Sequence, residues 1–314
     1  MPSAKLVRVA GVVALLGAAG LTAGYFLDPG QRLEAVVRGY PTFQGRSASA
    51  WAADLNACDD LDRSIAFERL KGGKADAVPV VAWVLRSPGR SEARWQSADI
   101  LGQLGADGRT GATDLIAALD DDDPYVKAMA VKALAGLAPA VTETLPPELS
   151  GVVPALLNKL PETEAIRAVS GYKRHAAGAV PKLTALLDHP DPAVRWNAAR
   201  ALGKIGESAK PATAAIVAQL ADPVPQVREH AAEALGDIGP AVADAIPDLV
   251  KSLADPEWKV RKDAVRALGQ MGPAAKSVLA RVQALKADPE AEVREKAAVA
   301  ERTIDPTLAG EPKR

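Results

Sequence analysis

The sequence predicts an all-α fold: a right-handed α-solenoid of about eight helical hairpins, preceded by one N-terminal transmembrane helix. A 33-residue pattern recurs along most of the chain, and a long uncharged run lies near the N-terminus. Aromatic residues make up only 4% of the chain, while alanine is abundant. This composition favours closely packed helices, because alanine combines high helix propensity with a minimal side chain.

The N-terminal segment has the pattern of a membrane anchor. Lys5 and Arg8 precede nineteen uncharged residues, 9–27, which as a helix would span roughly 28 Å, about the hydrocarbon thickness of a bilayer. The basic flank predicts that the N-terminus stays cytoplasmic and that the remainder is extracytoplasmic. The alternative is a signal peptide cleaved after Ala23, which would leave a secreted or periplasmic protein, although Leu21 fits the cleavage pattern poorly.

The repeats are clearest in three segments that align without gaps, 189–206, 222–239 and 255–272. Each reads Asp/His-Pro-x3-Val-Arg-x2-Ala-x2-Ala-Leu-Gly-x-Ile/Met-Gly. Less regular units complete a series of about eight. The residues that mark the arginine position in successive units are Arg63, Arg94, Lys127, Arg167, Arg195, Arg228, Arg261 and Arg294.

Each unit is predicted to form two helices. In the unit at 245–272, Pro247 suits the first turn of a helix, and the Asp255-Pro256 step ends that helix. The second helix carries one apolar stripe of about 100°, and Gly269 and Gly272 are expected to terminate it. Because neither helix buries its stripe alone, units must stack. The predicted segments are a cytoplasmic N-terminus (1–8), a transmembrane anchor (9–27), a linker (28–46), the repeats (47–303) and a disordered tail (304–314).

The Asp-Pro-x3-Val-Arg pattern resembles the HEAT-repeat family, in the short form also seen in phycobilisome-lyase-like repeat proteins. The resemblance covers residues 47–303 and is strongest over 188–304. It implies that the second helices line a concave face and that aspartates and arginines form a structural ladder between adjacent repeats. The residues expected in that ladder are Arg195, Asp222, Arg228, Asp255, Arg261 and Arg294.

Aromatic side chains on the predicted concave face mark a candidate binding groove, since Trp, Tyr and Arg dominate interface energetics. Positions one and five after the arginine point away from the apolar stripe, and two tryptophans occupy such positions. Alternatively, irregular curvature near Arg167 buries Trp95 or Trp196 against a neighbouring helix. The expected groove runs past Trp95, Asp99, Met129, Lys132, Trp196, Asn197, Arg200 and Arg266.

Catalysis and several ligand classes find no support in the sequence. The net charge of −1 gives no basic footprint for nucleic acid. Nucleophile and phosphate-loop motifs are absent, and Cys58 is the only cysteine. HEAT-like deoxyhypusine hydroxylases bind iron through His-Glu pairs, which this chain lacks. We therefore expect no catalytic residue, metal, cofactor or small-molecule substrate, and a protein or peptide partner. The alternative is an enzyme of the bilin-lyase or metal-dependent oxygenase kind.

Overall fold

A computed structural model describes residues 32–139 and 144–308. The predicted cytoplasmic segment (1–8), the predicted anchor (9–27) and residues 309–314 of the predicted tail lie outside this part of the chain. Among the described residues, no helix has the length and apolar character needed to cross a bilayer.

The first compact unit contains residues 32–138 and 147–151. A two-stranded antiparallel hairpin, β1 (Thr42–Phe43) and β2 (Arg46–Ser47), separates its first helix from the others. The later helices pair as three hairpins, α2–α3, α4–α5 and α6–α7. The helices are α1 (Arg32–Arg38), α2 (Ala48–Leu55), α3 (Asp60–Gly72), α4 (Val78–Arg86), α5 (Ser91–Gln103), α6 (Ala112–Ala118) and α7 (Pro124–Gly136).

The second compact unit contains residue 139 and residues 144–146 and 152–308 of the described chain. Its helices pair as five hairpins, joined by short 3-10 turns. The prediction of a mostly helical repeat fold is confirmed. The helices are α8 (Val152–Leu157), α9 (Thr163–Gly171), α10 (Val180–Ala185), α11 (Pro192–Ile205), α12 (Thr213–Gln219), α13 (Pro225–Ile238), α14 (Ile246–Ser252), α15 (Trp258–Gln270), α16 (Leu279–Ala284) and α17 (Ala291–Ile304).

Several second helices start at a residue suited to that position. The Asp123 carboxylate accepts a hydrogen bond from the backbone N–H of Tyr125 at 2.8 Å, and Asp191 caps α11 in the same way. Proline occupies the first turn of α7, α11 and α13, where its missing N–H costs nothing. Consecutive second helices within each unit pack against one another, and this packing buries the apolar stripe predicted from the repeat.

The predicted linker is wrong for residues 32–46, which fold as α1 and the β-hairpin. Gln44 and Gly45 both have positive φ, 50° and 73°, as a tight two-residue hairpin turn requires. The hairpin is held on α2, where Trp51 donates its indole N–H to the Phe43 carbonyl at 3.1 Å. Arg46 pairs with Asp54 at 2.6 Å.

The predicted disordered tail is wrong for residues 304–308. Ile304 is the last residue of α17 and is fully buried. A 3-10 turn follows at Pro306–Leu308. The Asp305 carboxylate holds this turn in place, because it accepts hydrogen bonds from Thr307 and pairs with Lys276 at 3.2 Å.

Glycines set the spacing between neighbouring second helices. A Cβ added to Gly236 on α13 would lie 2.8 Å from the Ala267 Cα on α15, and one added to Gly203 would lie equally close to the Ala234 Cα. The terminating role predicted for Gly269 is therefore wrong. Helix α15 continues to Gln270, and Gly269 instead faces the backbone of Ala300.

Replacing Gly236 by alanine should lower the free energy of unfolding by about 1–2 kcal/mol. The cost of forcing two backbones apart exceeds the gain in helix propensity. Gly72→Ala is the matched control, because a Cβ at that position in α3 meets nothing within 4 Å, and it should leave stability equal or slightly higher. Urea denaturation followed by circular dichroism measures both. Equal midpoints for the two variants would contradict the close-approach role of Gly236.

Candidate functional site

The arginines of the repeat bind aspartates of the following repeat. Arg228 donates from Nε and Nη2 to the two carboxylate oxygens of Asp255, at 2.7 and 2.9 Å. Its Nη1 donates to the Asp222 and Pro223 carbonyls, which fixes the guanidinium plane. Such two-point pairing is the strongest geometry for a guanidinium and a carboxylate. The other pairs of this kind are Arg94–Asp121, Arg195–Asp222 and Arg261–Asp288.

These pairs shift the titration of their carboxylates. Hydrogen bonds from Arg261 hold the pKa of Asp288 below its usual value. Burial tends to raise the pKa of Asp255, but the hydrogen bonds from Arg228 and from a backbone N–H outweigh it, and the net pKa is lowered. Both side chains of each pair are thus engaged in structural contacts.

Arg294 departs from the predicted ladder. It is exposed, and within the described residues it donates only to the Asp288 and Pro289 carbonyls.

The second helices expose a surface that we call the second-helix face, formed by α3, α5 and α7 in the first unit and by the odd-numbered helices α9 to α17 in the second. In the first unit, Trp95 packs edge-on against Tyr125, with ring centroids 5.2 Å apart and ring planes at 84°. The Trp95 indole N–H donates to Glu92 at 3.1 Å. Trp95 is half-buried, whereas Tyr125 is 54% exposed. The pair therefore exposes the Tyr125 ring, which packs on an indole held in place by Glu92.

Polar side chains continue this surface along α5 and α7. Lys132 pairs with Asp99 at 3.1 Å, and Gln103 donates to the other oxygen of the same carboxylate. Met129 was predicted to line the groove, but it is only 8% exposed. Its position, two residues after the repeat arginine, lies on the packed side of the second helix. Gln96, Asn197 and Asp263 occupy that position in other repeats and are likewise buried.

In the second unit, Trp196 is engaged by neighbouring repeats. Its ring stacks on His230 with centroids 5.0 Å apart, and the Arg167 guanidinium carbon lies 5.7 Å from its centroid. Asn197, another predicted groove residue, is only 3% exposed and accepts a hydrogen bond from Arg167 at 3.2 Å. Tyr172 lies five residues after Arg167, at a position predicted to point away from the apolar stripe, but it is fully buried.

Charges on this part of the face alternate between helices and pair with one another. Lys204 on α11 pairs with Asp237 on α13 at 2.6 Å, and Arg266 on α15 reaches the same carboxylate at 3.2 Å. A hydrogen bond from His230, with the charges of Lys204 and Arg266, lowers the pKa of Glu233 to about 2 despite its partial burial. Arg266 is thus committed to ion pairs. Arg200 is exposed and has no ion pair among the described residues.

The described residues contain no group of three or more His, Cys, Asp or Glu side chains placed to hold a metal ion. Cys58 is a free, exposed thiol. The acidic run that begins at Asp120 forms the turn before α7, and there Asp121 is bound by Arg94.

The repeats match the model of a known protein family. A family model described as HEAT repeats matches residues 149–221 and 213–300. The matched residues include helices α8 to α16 and most of α17. A comparison with curated proteins gives no match.

Solved structures extend the likeness over most of the chain. An engineered protein is 23% identical with a TM-score of 0.53, over 88% of this chain and 81% of that one. A chain from a structure of Kap95p with RanGDP is 15% identical with a TM-score of 0.59, over 84% of this chain and 41% of that one. At these identities the likeness concerns the fold alone. A chain of the CpcE–CpcF complex of phycocyanin lyase from Nostoc sp. PCC7120 is 21% identical, over 84% of this chain and 98% of that one, but its TM-score of 0.41 supports no argument.

Proposed function

We propose that this chain is a non-catalytic HEAT-repeat scaffold, tethered to a membrane, that binds a protein or peptide on its second-helix face. The observation that carries the proposal is the Trp95–Tyr125 pair of the first unit. There an exposed phenol lies against a half-buried indole. Large aromatic side chains provide most of the binding energy in many interfaces. A ring already held in place loses little side-chain entropy on binding.

The surroundings of the pair suit an interface. The indole N–H is satisfied by Glu92, so an apolar contact on the indole leaves that donor with a partner. The Asp99–Lys132 ion pair lies four residues after Trp95 on α5 and seven residues after Tyr125 on α7, and it supplies a polar rim. In the second unit, Trp196 is stacked on His230, and Lys204, Glu233, Asp237 and Arg266 are paired with one another. We therefore assign partner binding to the first unit.

Replacing Tyr125 by alanine should weaken partner binding about 30-fold, the effect of losing roughly 2 kcal/mol at a binding hot spot. Crosslinking in membranes measures this, with a photoreactive amino acid at the exposed Ala128 of α7. The matched control is the same probe at Ala218, which is exposed on α12, the first helix of its hairpin. This control should yield no specific product. Equal yields at the two positions, or an unchanged yield with Tyr125→Ala, would contradict the assignment.

The membrane tether rests on the apolar segment 9–27 and its basic flank. We place the N-terminus in the cytoplasm and the repeats outside it, as a single-pass protein. Mass spectrometry of the membrane-extracted protein distinguishes this arrangement from a cleaved, secreted or periplasmic form, since only the anchored form retains residues 1–27.

The absence of catalysis is tested separately. Metal analysis and an absorption spectrum of the purified protein should show neither a stoichiometric metal nor a visible chromophore. Either finding would favour the HEAT-like enzyme alternative over the scaffold.

A further inference from the structure

On the side of α17 that faces away from α15, the repeat arginine is exposed, whereas in the three preceding repeats it is partly buried against the next repeat. Arg294 occupies the repeat arginine position, and its Nη1 donates to the Asp288 and Pro289 carbonyls at 2.7 and 2.8 Å. Arg261 makes the same two contacts one repeat earlier. Arg261 also binds Asp288 through Nε and Nη2. Among the described residues, the corresponding two donors of Arg294 meet no acceptor. Within residues 144–308, the Arg294 guanidinium is thus held in orientation by Nη1 while Nε and Nη2 are unpaired.

Two further residues distinguish α17 from the internal second helices. Arg302 stands, exposed, eight residues after the repeat arginine, where Gly203, Gly236 and Gly269 face the next helix. Its Nε donates to the Ala298 carbonyl at 3.2 Å, which holds the side chain along the helix. Glu301 replaces the core leucine of other repeats and binds Gln283 and Lys286 at 2.8 Å each.

These substitutions change what can bind to this side of α17. Internal helices approach until a glycine touches a backbone, and a Cβ at Gly236 would already lie 2.8 Å from the Ala267 Cα. An arginine at that position prevents a further helix from stacking in the same way. The fork of Arg294 remains accessible, however, and lies roughly 12 Å along the helix from Arg302. A segment thinner than a helix can therefore reach the Arg294 guanidinium if it carries a negative charge.

We propose that Arg294 and Arg302 form a carboxylate-binding site that takes an aspartate side chain from a turn or extended segment of a partner protein. Four internal pairs show the chemistry that this fork selects, since Arg94, Arg195, Arg228 and Arg261 each bind one aspartate with two hydrogen bonds. The carbonyl contacts already orient the guanidinium, so binding orders little. Arg302 adds a second positive charge for an acidic neighbour. The site uses none of the residues to which partner binding is assigned in the first unit.

A peptide with the sequence of residues 253–258, acetylated and amidated, is a suitable probe because it contains the Asp255-Pro256 turn that Arg228 binds internally. Nuclear magnetic resonance of the arginine Nε–Hε groups in the full chain reports on the fork directly. We expect the Arg294 signal to shift with saturation as peptide is added. The same peptide with asparagine in place of aspartate should bind at least tenfold more weakly, although its glutamate is retained.

Arg294→Lys should abolish this binding, because an ammonium cannot form the two-point contact. Binding by this variant is followed on the Arg302 Nε–Hε signal, since the Arg294 signal is lost. Its thermal midpoint should match the parent, since Arg294 forms no ion pair among the described residues. Arg200→Lys, an equally exposed arginine without an ion pair, is the matched control and should bind normally. Tyr125→Ala should also leave this titration unchanged, which separates the site from the proposed groove.

Three results would overturn the proposal. The first is equal binding of the aspartate and asparagine peptides, and the second is unchanged binding by Arg294→Lys. The third is a change of the Arg294 signal in Glu311→Gln without peptide, which would show that the chain's own C-terminal residues bind the Arg294 guanidinium.

Discussion

Leu235→Asp is expected to lower the free energy of unfolding by about 4 kcal/mol, a large part of the stability of an ordinary domain. Leu235 is fully buried on α13. The substitution removes an apolar side chain from a packed interface, which alone costs about 2–5 kcal/mol. It also places a carboxylate where no basic partner is provided.

Urea unfolding measured by far-ultraviolet circular dichroism tests this expectation. Leu61→Asp introduces the same change on α3, but Leu61 is 68% exposed. Its free energy of unfolding should therefore change by no more than about 0.5 kcal/mol. If both variants unfolded like the parent, the helix register of the second unit would be wrong.

Arg228→Ala is expected to cost about 3 kcal/mol, because it leaves the Asp255 carboxylate shielded from water without its guanidinium. The two side chains are only 13% and 9% exposed in the pair. Arg228→Lys should recover part of the loss, since lysine restores the charge without the planar fork. Arg200→Ala, which removes an exposed arginine, should change stability little.

A double-mutant cycle with Asp255→Ala isolates the interaction from the effects of the single changes. The folded-state pKa of Asp255 lies below its usual value of 3.8. The contribution of the pair is therefore fully present at neutral pH and declines as the pH falls through the folded pKa. A coupling energy near zero at pH 7 would show that the interaction between Arg228 and Asp255 does not stabilise the fold.

Periodicity explains which parts of the fold could be predicted. The residues that recur every 33 positions identified the second helices, because each repeat tests the same assignment again. The hairpin at Thr42–Ser47 occurs once, and its turn at Gln44-Gly45 has no second copy with which to compare it. The same reasoning applies to Ile304, which closes α17 although the tail composition favours disorder.

The binding surface depended on contacts between repeats, which a helical wheel of one repeat does not contain. Trp196 lies on the side expected from the wheel, but His230 and Arg167, from the repeats on either side, contact its ring. Met129 lies one position beyond the exposed row and is buried by the neighbouring helix. Tyr125 was missed because it lies two residues before Lys127, in the first turn of α7, outside the positions projected from the repeat.

The direction of the arginine–aspartate pairs bears on how such an array changes length in evolution. Arg195 binds Asp222, and Arg228 binds Asp255, always one repeat ahead. If residues 222–254 were deleted, Arg195 would meet Asp255 at the same separation along the chain, and Gly203 would meet Ala267. Duplicating the segment restores every contact in the same way. Whole repeats can therefore be gained or lost by recombination without a compensating mutation at the new junction. An insertion of another length between an arginine and its aspartate changes the separation of that pair along the chain.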